Sequence, residues 1–419
     1  MTLDFLQTLA LAGAVVLFGR WVCTRIGVLE RLSIPPPVVG GLIVALALLA
    51  WTSTGRAAPT FDTMLQKPLL VAFFASLGFA ARLDLLRRGG PQVGVFLALC
   101  SAFAVLQSLV GIAVAWMFGL PSLFGVLVGA VTLTGGPATG AAFAPLFEEA
   151  GVVGAGAIAV ASATAGIVLG GLLGGPMVVR LMRREGLRSA ASDGATTHDA
   201  RSQPDDERRA ADGRAADGRI ADGRAGETEG AITATEGSAF TAVALLLGIV
   251  VVGQWVSAGI ERTGLTLPGY IGAMLVAAVV TNIGPLLGRL RPDPAVIEAL
   301  GAIALSLFLA MWLMTLDLTR LHGVALPLIV NLVLQVALIA AALRLVFRLM
   351  GRDYDSAVMS GGFTGFMLGT TATALAVMRT VVARHGPAPR AFLVAPVVGA
   401  FFIDFTNALI INAFLNILR

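Results

Sequence analysis

Ten apolar runs dominate the chain, at about Phe5–Trp21, Val38–Trp51, Leu69–Leu83, Val93–Phe118, Ala155–Val179, Ala239–Ser257, Leu267–Ile283, Ala299–Leu316, Leu326–Leu349 and Phe392–Leu415. Their lengths cluster around the ~20 residues needed to cross the hydrocarbon of a bilayer, so each predicts a membrane-spanning helix. Two further apolar segments, about 123–147 and 357–382, are interrupted. In the first, Thr132, Thr134, Gly135, Gly136, Pro137, Thr139, Gly140 and Pro145 crowd into one short run. Proline cannot donate to a helical ladder, and glycine opens backbone conformations that other residues avoid. Hydrocarbon offers no partner for the freed N–H and C=O groups, so broken backbone at membrane depth must be buried in protein or face a water-filled cavity. Each interrupted segment is long enough for two half-helices and predicts a re-entrant hairpin. In the second, Ser360-Gly361-Gly362-Phe363-Thr364-Gly365 resembles Thr134-Gly135-Gly136-Pro137-Ala138-Thr139-Gly140. Two such segments in corresponding places of two halves are the sequence signature of a transporter's binding site.

The stretch Arg183–Ser238 is different. Ala-Asp-Gly-Arg recurs every five residues from Ala211, Ala216 and Ala221, aromatic residues are absent, and 9 Arg face 12 Asp plus Glu. No packed core can form from it, and it is no polybasic lipid anchor. It predicts a disordered cytoplasmic linker, 183–238, between an N-terminal membrane repeat, 1–182, and a C-terminal one, 239–419.

The halves share further features in the same order. Leu83-Asp84-Leu85 with Arg87 and Gly90 matches Leu316-Asp317-Leu318 with Arg320 and Gly323, and Met117-Phe118-Gly119 matches Leu349-Met350-Gly351. Five spans per half is an odd number, so the repeats are expected to be inverted. Arginine placement tests this independently. With both termini outside, the inside loops hold Arg20, Arg25, Arg31, Arg82, Arg87, Arg88, Arg289, Arg291, Arg344, Arg348, Arg352, Arg379, Arg384 and Arg390, and the outside loops only Arg56, Lys67, Arg262 and Arg320. The two hairpins then enter from opposite faces and meet near the midplane.

Composition agrees: 57% of the 419 residues are hydrophobic, only 13% are charged, and mean hydropathy is +0.87. Soluble domains carry about 25% charged residues, so this is an integral membrane protein. The net charge of +4 comes from arginines in loops and gives no argument for nucleic acid. Cys23 and Cys100 sit in apolar stretches and read as small core residues. The N-terminus has Asp4 where a signal peptide would be basic, so the first span is expected to be retained.

The stretches IPPPVVGGLIVALALL, VTLTGGPATGAAFAPLFEE, GIVLGGLLGGP, LSLFLAMWLM, MGRDYDSAV and FLVAPVVGAFFIDFTNALII resemble the bacterial sodium/glutamate symporter family, end to end and in order. The resemblance implies an all-α polytopic membrane protein of about ten transmembrane helices in two inverted five-helix repeats, each with a re-entrant hairpin. It also implies sodium-coupled symport of L-glutamate or a related acidic amino acid, a homodimer in the bacterial inner membrane, and an elevator-type shift. Sodium enters as a co-transported ion, not a prosthetic group. The chain departs from the family at Pro137 and Phe363, where the hairpins usually carry histidine.

Half-helix N-termini present N–H groups and partial positive charge that suit a carboxylate. Half-helix C-termini present carbonyls that suit a hard cation such as sodium. The expected substrate-binding residues are therefore Thr134, Gly135, Gly136, Thr139, Gly361, Gly362, Thr364, Thr370, Thr371 and Thr373. Asp404 is the acid most clearly inside a span. An ionised carboxylate there costs roughly 3 kcal/mol and needs a partner; Asp404, Asn407 and Thr132 are the expected sodium ligands. Gln107, Asn282, Asn331 and Gln335 read as interhelical hydrogen bonders. His198, His322 and His385 all fall in loops, and Asp404 has no second deep carboxylate, so an intramembrane enzyme is not expected. The residues alone leave open a sodium- or proton-coupled carrier of another small carboxylate, or a channel.

Overall fold

The computed structural model describes residues 2–32, 34–187, 224–262, 268–284, 293–321 and 323–418, with backbone alone at 30–31, 85–89, 224–238 and 400. Helices begin where local chemistry supplies the missing partners of a first turn. Asp4 accepts from the Gln7 N–H and the Gln7 side chain returns to Asp4, a capping box that starts α1 (Phe5–Arg25). The short α2 (Gly27–Arg31) follows, and Pro36 and Pro37 form the first turn of α3 (Pro36–Ser53). Then come α4 (Gln66–Phe79) and α5 (Leu83–Met117), which is interrupted at Gly90, where φ is 63° just before Pro91. α6 (Ser122–Val126) leads through a π turn, Leu127–Val131, to α7 (Gly136–Glu149) and α8 (Ala155–Glu185). The second half supplies α9 (Arg224–Glu261), α10 (Tyr270–Ile283), α11 (Pro294–Met314), capped by Asp293, and α12 (Ala325–Met350). α13 (Tyr354–Leu368) and α14 (Thr371–His385) are capped by Asp353 and Thr370. α15 (Pro389–Val397) passes through a second π turn, Val398–Phe402, into α16 (Ile403–Leu418).

Among the described residues, seven helices are long and apolar enough to cross a membrane: α1, α3, α5 from Gly90, α8, α9 from Ala239, α11 and α12. Three of the ten expected spans fall short of that length. α4 and α10 have 14 residues each, and the last span is divided by its π turn. The protein is thus a helical polytopic membrane protein.

The helices form two groups. α1, α3, α4, α9, α10 and α11 pack chiefly on one another, and α5–α8 and α12–α16 on one another. The first group therefore collects the first three spans of each half, and the second collects the remaining spans with both broken segments. Phe74 of α4 stacks on Tyr270 of α10 at 3.7 Å within the first group, and Phe143 of α7 meets the edge of that ring across the boundary.

Two features were not anticipated. Thr2–Leu3 (β1) pairs in parallel with Thr60–Phe61 (β2), a two-residue sheet that ties the N-terminus to the loop before α4. α9 also begins at Arg224, inside the stretch expected to be a linker. Arg224–Ser238 contains no proline and several Ala and Glu, so it can continue the apolar helix N-terminally. The rest of that stretch, 188–223 with nearly all of the Ala-Asp-Gly-Arg repeats, lies outside the described residues.

Candidate functional site

The first interrupted segment breaks where its threonines and glycines cluster. Gly129 leaves helical geometry inside the π turn, and α7 restarts at Gly136, whose φ of 69° is a left-handed conformation open to glycine. Pro137, in the first turn of α7, needs no N–H partner there. The second segment breaks elsewhere than expected. Ser360–Gly365 lies in the middle of α13, fully buried, and the helix ends only at Leu368. Gly361 and Gly362 instead allow close packing. A Cβ on Gly361 would stand 2.9 Å from Val178 of α8, and one on Gly362 would stand 2.8 Å from the Met378 sulfur of α14. Thr364 donates to the Ser360 carbonyl within its own helix. The break is at Gly369-Thr370. There Thr370 accepts from the Thr373 N–H at 3.4 Å and starts α14.

The two breaks meet. A Cβ on Gly136 would stand 2.8 Å from the Thr370 methyl and 3.4 Å from the Gly369 carbonyl oxygen. The N-termini of α7 and α14 therefore converge, each with no acidic residue in its first turn. Two positive helix ends meeting at buried hydroxyls make a place for a carboxylate. Thr134, Thr139 and Thr373 are buried around it.

A buried hydrogen-bond network holds this centre. Thr134 donates to Gln107 Oε1 at 2.6 Å, and Gln107 Nε2 donates to the Met367 carbonyl at 2.6 Å, so one side chain of α5 bridges both broken segments. Gln335 donates to the Gln107 carbonyl and to Asn331 Oδ1, and Asn331 donates to the Val128 carbonyl freed by the π turn. Asn407 Nδ2 donates to the Ala130 carbonyl at 3.0 Å, and Thr371 donates to the Gly399 carbonyl of the second π turn at 2.8 Å. Gln107, Asn331, Gln335 and Asn282 are all interhelical bonders, Asn282 binding the Ala81 carbonyl at a distance from the centre. Neither the second π turn nor the role of Ser162, which bonds Thr132 at 2.8 Å, was read from the sequence; Pro396, which withholds a ladder N–H, was the available signal for the former.

The three expected ion ligands stand differently. Thr132 is engaged with the Leu127 carbonyl and Ser162. Asn407 is fully buried, with Nδ2 committed to a carbonyl and Oδ1 without a partner; Gln335 Oε1 is left in the same way. Because each amide nitrogen faces acceptors, the free atom is an oxygen, suited to a hard cation. Asp404 opens α16, half-buried, with no hydrogen bond or ion pair among the described residues. It does not bond Asn407; the Tyr270 phenol lies within electrostatic range of its carboxylate. No cluster of three or more His, Cys, Asp or Glu occurs among the described residues, so neutral oxygens would have to supply most of any ion's shell.

Beside the centre lies a cavity of about 860 Å³, running from the ends of α4, α7, α8, α10 and α11 down to Ala141 of α7. The second broken segment is anchored at its start. Asp353 caps α13, receives Ser356 and pairs with Arg390 of α15, while Asp355 accepts from the Ala391 N–H. Burial pushes the Asp353 carboxyl up, but the bonds from Ser356 and Arg390 outweigh it and hold the group below its ordinary range.

A polytopic helical membrane protein whose polar centre is built from interrupted helices is the class that this fold and site define. A family model described as sodium/glutamate symporter matches residues 1–387. A sodium/glutamate symporter of Haemophilus influenzae is 37% identical over 424 residues, covering 100% of this chain and 99% of the relative. Those of Escherichia coli and Shigella flexneri are each 38% identical over 415 residues, covering 99% of this chain and 98% of theirs. The chain belongs to the sodium/glutamate symporter family. No solved structure was found to match it.

Proposed function

We propose that this protein is a sodium-coupled symporter of L-glutamate or a closely related acidic amino acid, working by elevator-type alternating access. The observation that carries the reading is the meeting of the α7 and α14 N-termini at two helix breaks lined by threonine hydroxyls. Relatives of matching length are named sodium/glutamate symporters. The substrate's carboxylate is held by main-chain N–H groups at Gly136 and Thr371, with hydroxyls from Thr139, Thr370 and Thr373; the Gly135 N–H and the Thr134 hydroxyl, expected beside them, are engaged by the Ala130 carbonyl and Gln107 Oε1. Sodium takes the free Asn407 oxygen together with Asp404. The division of the helices into two groups favours an elevator, in which α5–α8 and α12–α16 slide against the other six. In this reading 1–182 and 239–419 are inverted repeats with re-entrant hairpins, joined on the cytoplasmic side through 183–238. The protein is a homodimer in the bacterial inner membrane, with both termini outside.

The test is uptake of labelled glutamate, aspartate and dicarboxylates into cells expressing the chain, with an imposed sodium gradient, a proton gradient or neither. Glutamate uptake that needs sodium supports the reading. Uptake driven by protons alone, or flux that never saturates, overturns it.

A further inference from the structure

We propose that the cavity of about 860 Å³ beside the helix breaks is a second, peripheral binding site for a zwitterionic amino acid with an extra carboxylate, occupied before the solute reaches the centre. The choice of ligand rests on the substrate reading above. The volume lies within the range of small-molecule sites. Its floor, at Ala141 and Ala144, lies five and eight residues beyond Gly136 on α7, or roughly 8–12 Å from the break at 1.5 Å per residue.

The lining supplies both donors and acceptors. Lys67, the only lysine in the chain, is exposed at the start of α4 and has no ion pair among the described residues. Tyr270, 2% exposed, has a hydroxyl without a hydrogen-bond partner; stacking on Phe74 and the edge contact with Phe143 fix its ring. α4 and α10 both start at this cavity with no acidic residue in the first turn, adding two positive helix ends. These groups suit a carboxylate. The same lining holds Glu148, which accepts one hydrogen bond from the Gly156 N–H, and Glu261 at the end of α9. Asp317 and Arg320 also line the cavity but bond each other, and Thr319 takes a further Asp317 contact. The acids suit an ammonium group. An inorganic anion would gain nothing from the glutamates, and a simple cation would be opposed by Lys67. A molecule bearing both charges satisfies both kinds of group.

Two measurements on the full-length chain test this. In the first, initial rates of labelled L-glutamate uptake into cells are followed at fixed sodium, with ionic strength varied by choline chloride. For Lys67→Gln and Tyr270→Phe the expected result is a KM raised about two- to fivefold, the loss from one contact of this kind, with the maximal rate held. The wild-type KM should rise with ionic strength more steeply than that of Lys67→Gln, because salt screens an exposed charge. In the second, Val153→Cys, on the cavity rim in a background lacking Cys23 and Cys100, is treated with a membrane-impermeant thiol reagent without sodium. Glutamate should protect it and glutarate, lacking the amine, should not. Unchanged KM in both variants, or protection by glutarate equal to that by glutamate, overturns the proposal. Protection of Val153→Cys by glutamate, with no glutamate uptake by the wild type, would sink the substrate reading and leave the peripheral site standing. Neither uptake nor protection would remove both.

Discussion

Gln107 is fully buried, and its two amide atoms serve two different broken segments. Replacing it by leucine leaves the Thr134 hydroxyl and the Met367 carbonyl without partners, at about 1–3 kcal/mol for each orphaned group. Gln107→Leu should therefore lower the unfolding temperature of the purified protein and abolish uptake. Gln107→Glu keeps the acceptor for Thr134 but loses the donor to Met367, and should fall between. Asp404 offers a different test because no side chain satisfies it. Asp404→Asn keeps the shape and removes the charge that, in the proposed ion site, would offset sodium dehydration. Substrate binding measured across a sodium titration should show a higher sodium midpoint, with part of the binding restored at high sodium, since coupling between two ligands is reciprocal. An unchanged midpoint would remove Asp404 from the ion site.

At the scale of elements, the breaks depend on conformations that few residues tolerate. Gly136→Ala meets a left-handed φ, at about 1 kcal/mol, and also the Thr370 methyl at 2.8 Å. Uptake should fall sharply. Adding Thr370→Ser, which removes that methyl and keeps the hydroxyl, should recover the steric part of the loss and not the conformational part. The anchor of the second broken segment titrates. The Asp353 pKa is lowered from its ordinary 3.8, so its stabilising contribution is complete above about that pH and fades as pH falls through the lower folded value. Asp353→Ala loses the cap, about 1 kcal/mol, at neutral pH. Thermal unfolding of wild type and variant should converge on acidification below the ordinary carboxylate range.

Seven long spans were legible in the chain because a span needs a continuous apolar run; the runs at α4, α10 and the last span looked the same in sequence but form helices too short for that criterion. Thr134-Gly135-Gly136-Pro137 was readable as a break for a similar reason: proline and glycine fall together among threonines. Gly361-Gly362 misled, because glycine serves close helix contact as readily as helix termination, and only the neighbouring Val178 and Met378 reveal which. Gln107, Asn331 and Gln335 could be recognised as hydrogen bonders. Their partners could not, since those lie elsewhere in the chain: the Val128 carbonyl of the π turn for Asn331, the Gln107 carbonyl for Gln335, and Thr134 with the Met367 carbonyl for Gln107.

For the whole molecule, the opposed orientation of the halves is open to direct measurement. Val153→Cys, 67% exposed after α7, and Ala383→Cys, exposed near the end of α14, in a background lacking Cys23 and Cys100, should react with an impermeant thiol reagent from opposite sides of the membrane. Reaction of both from one side would end the inverted arrangement. The two 14-residue helices, α4 and α10, bear on the driving force as well as on the architecture. At 1.5 Å per residue each spans about 21 Å, against about 30 Å of hydrocarbon. Neighbouring helices enclose both along most of their length, so the groups at their ends would sit below the headgroups of a bilayer of that thickness. Where the insulating layer is thinner, the membrane voltage drops over a shorter path and the local electric field is correspondingly steeper. A charge crossing at that level would take up the same electrical work, about 2.3 kcal/mol per 100 mV, over about two thirds of the usual distance.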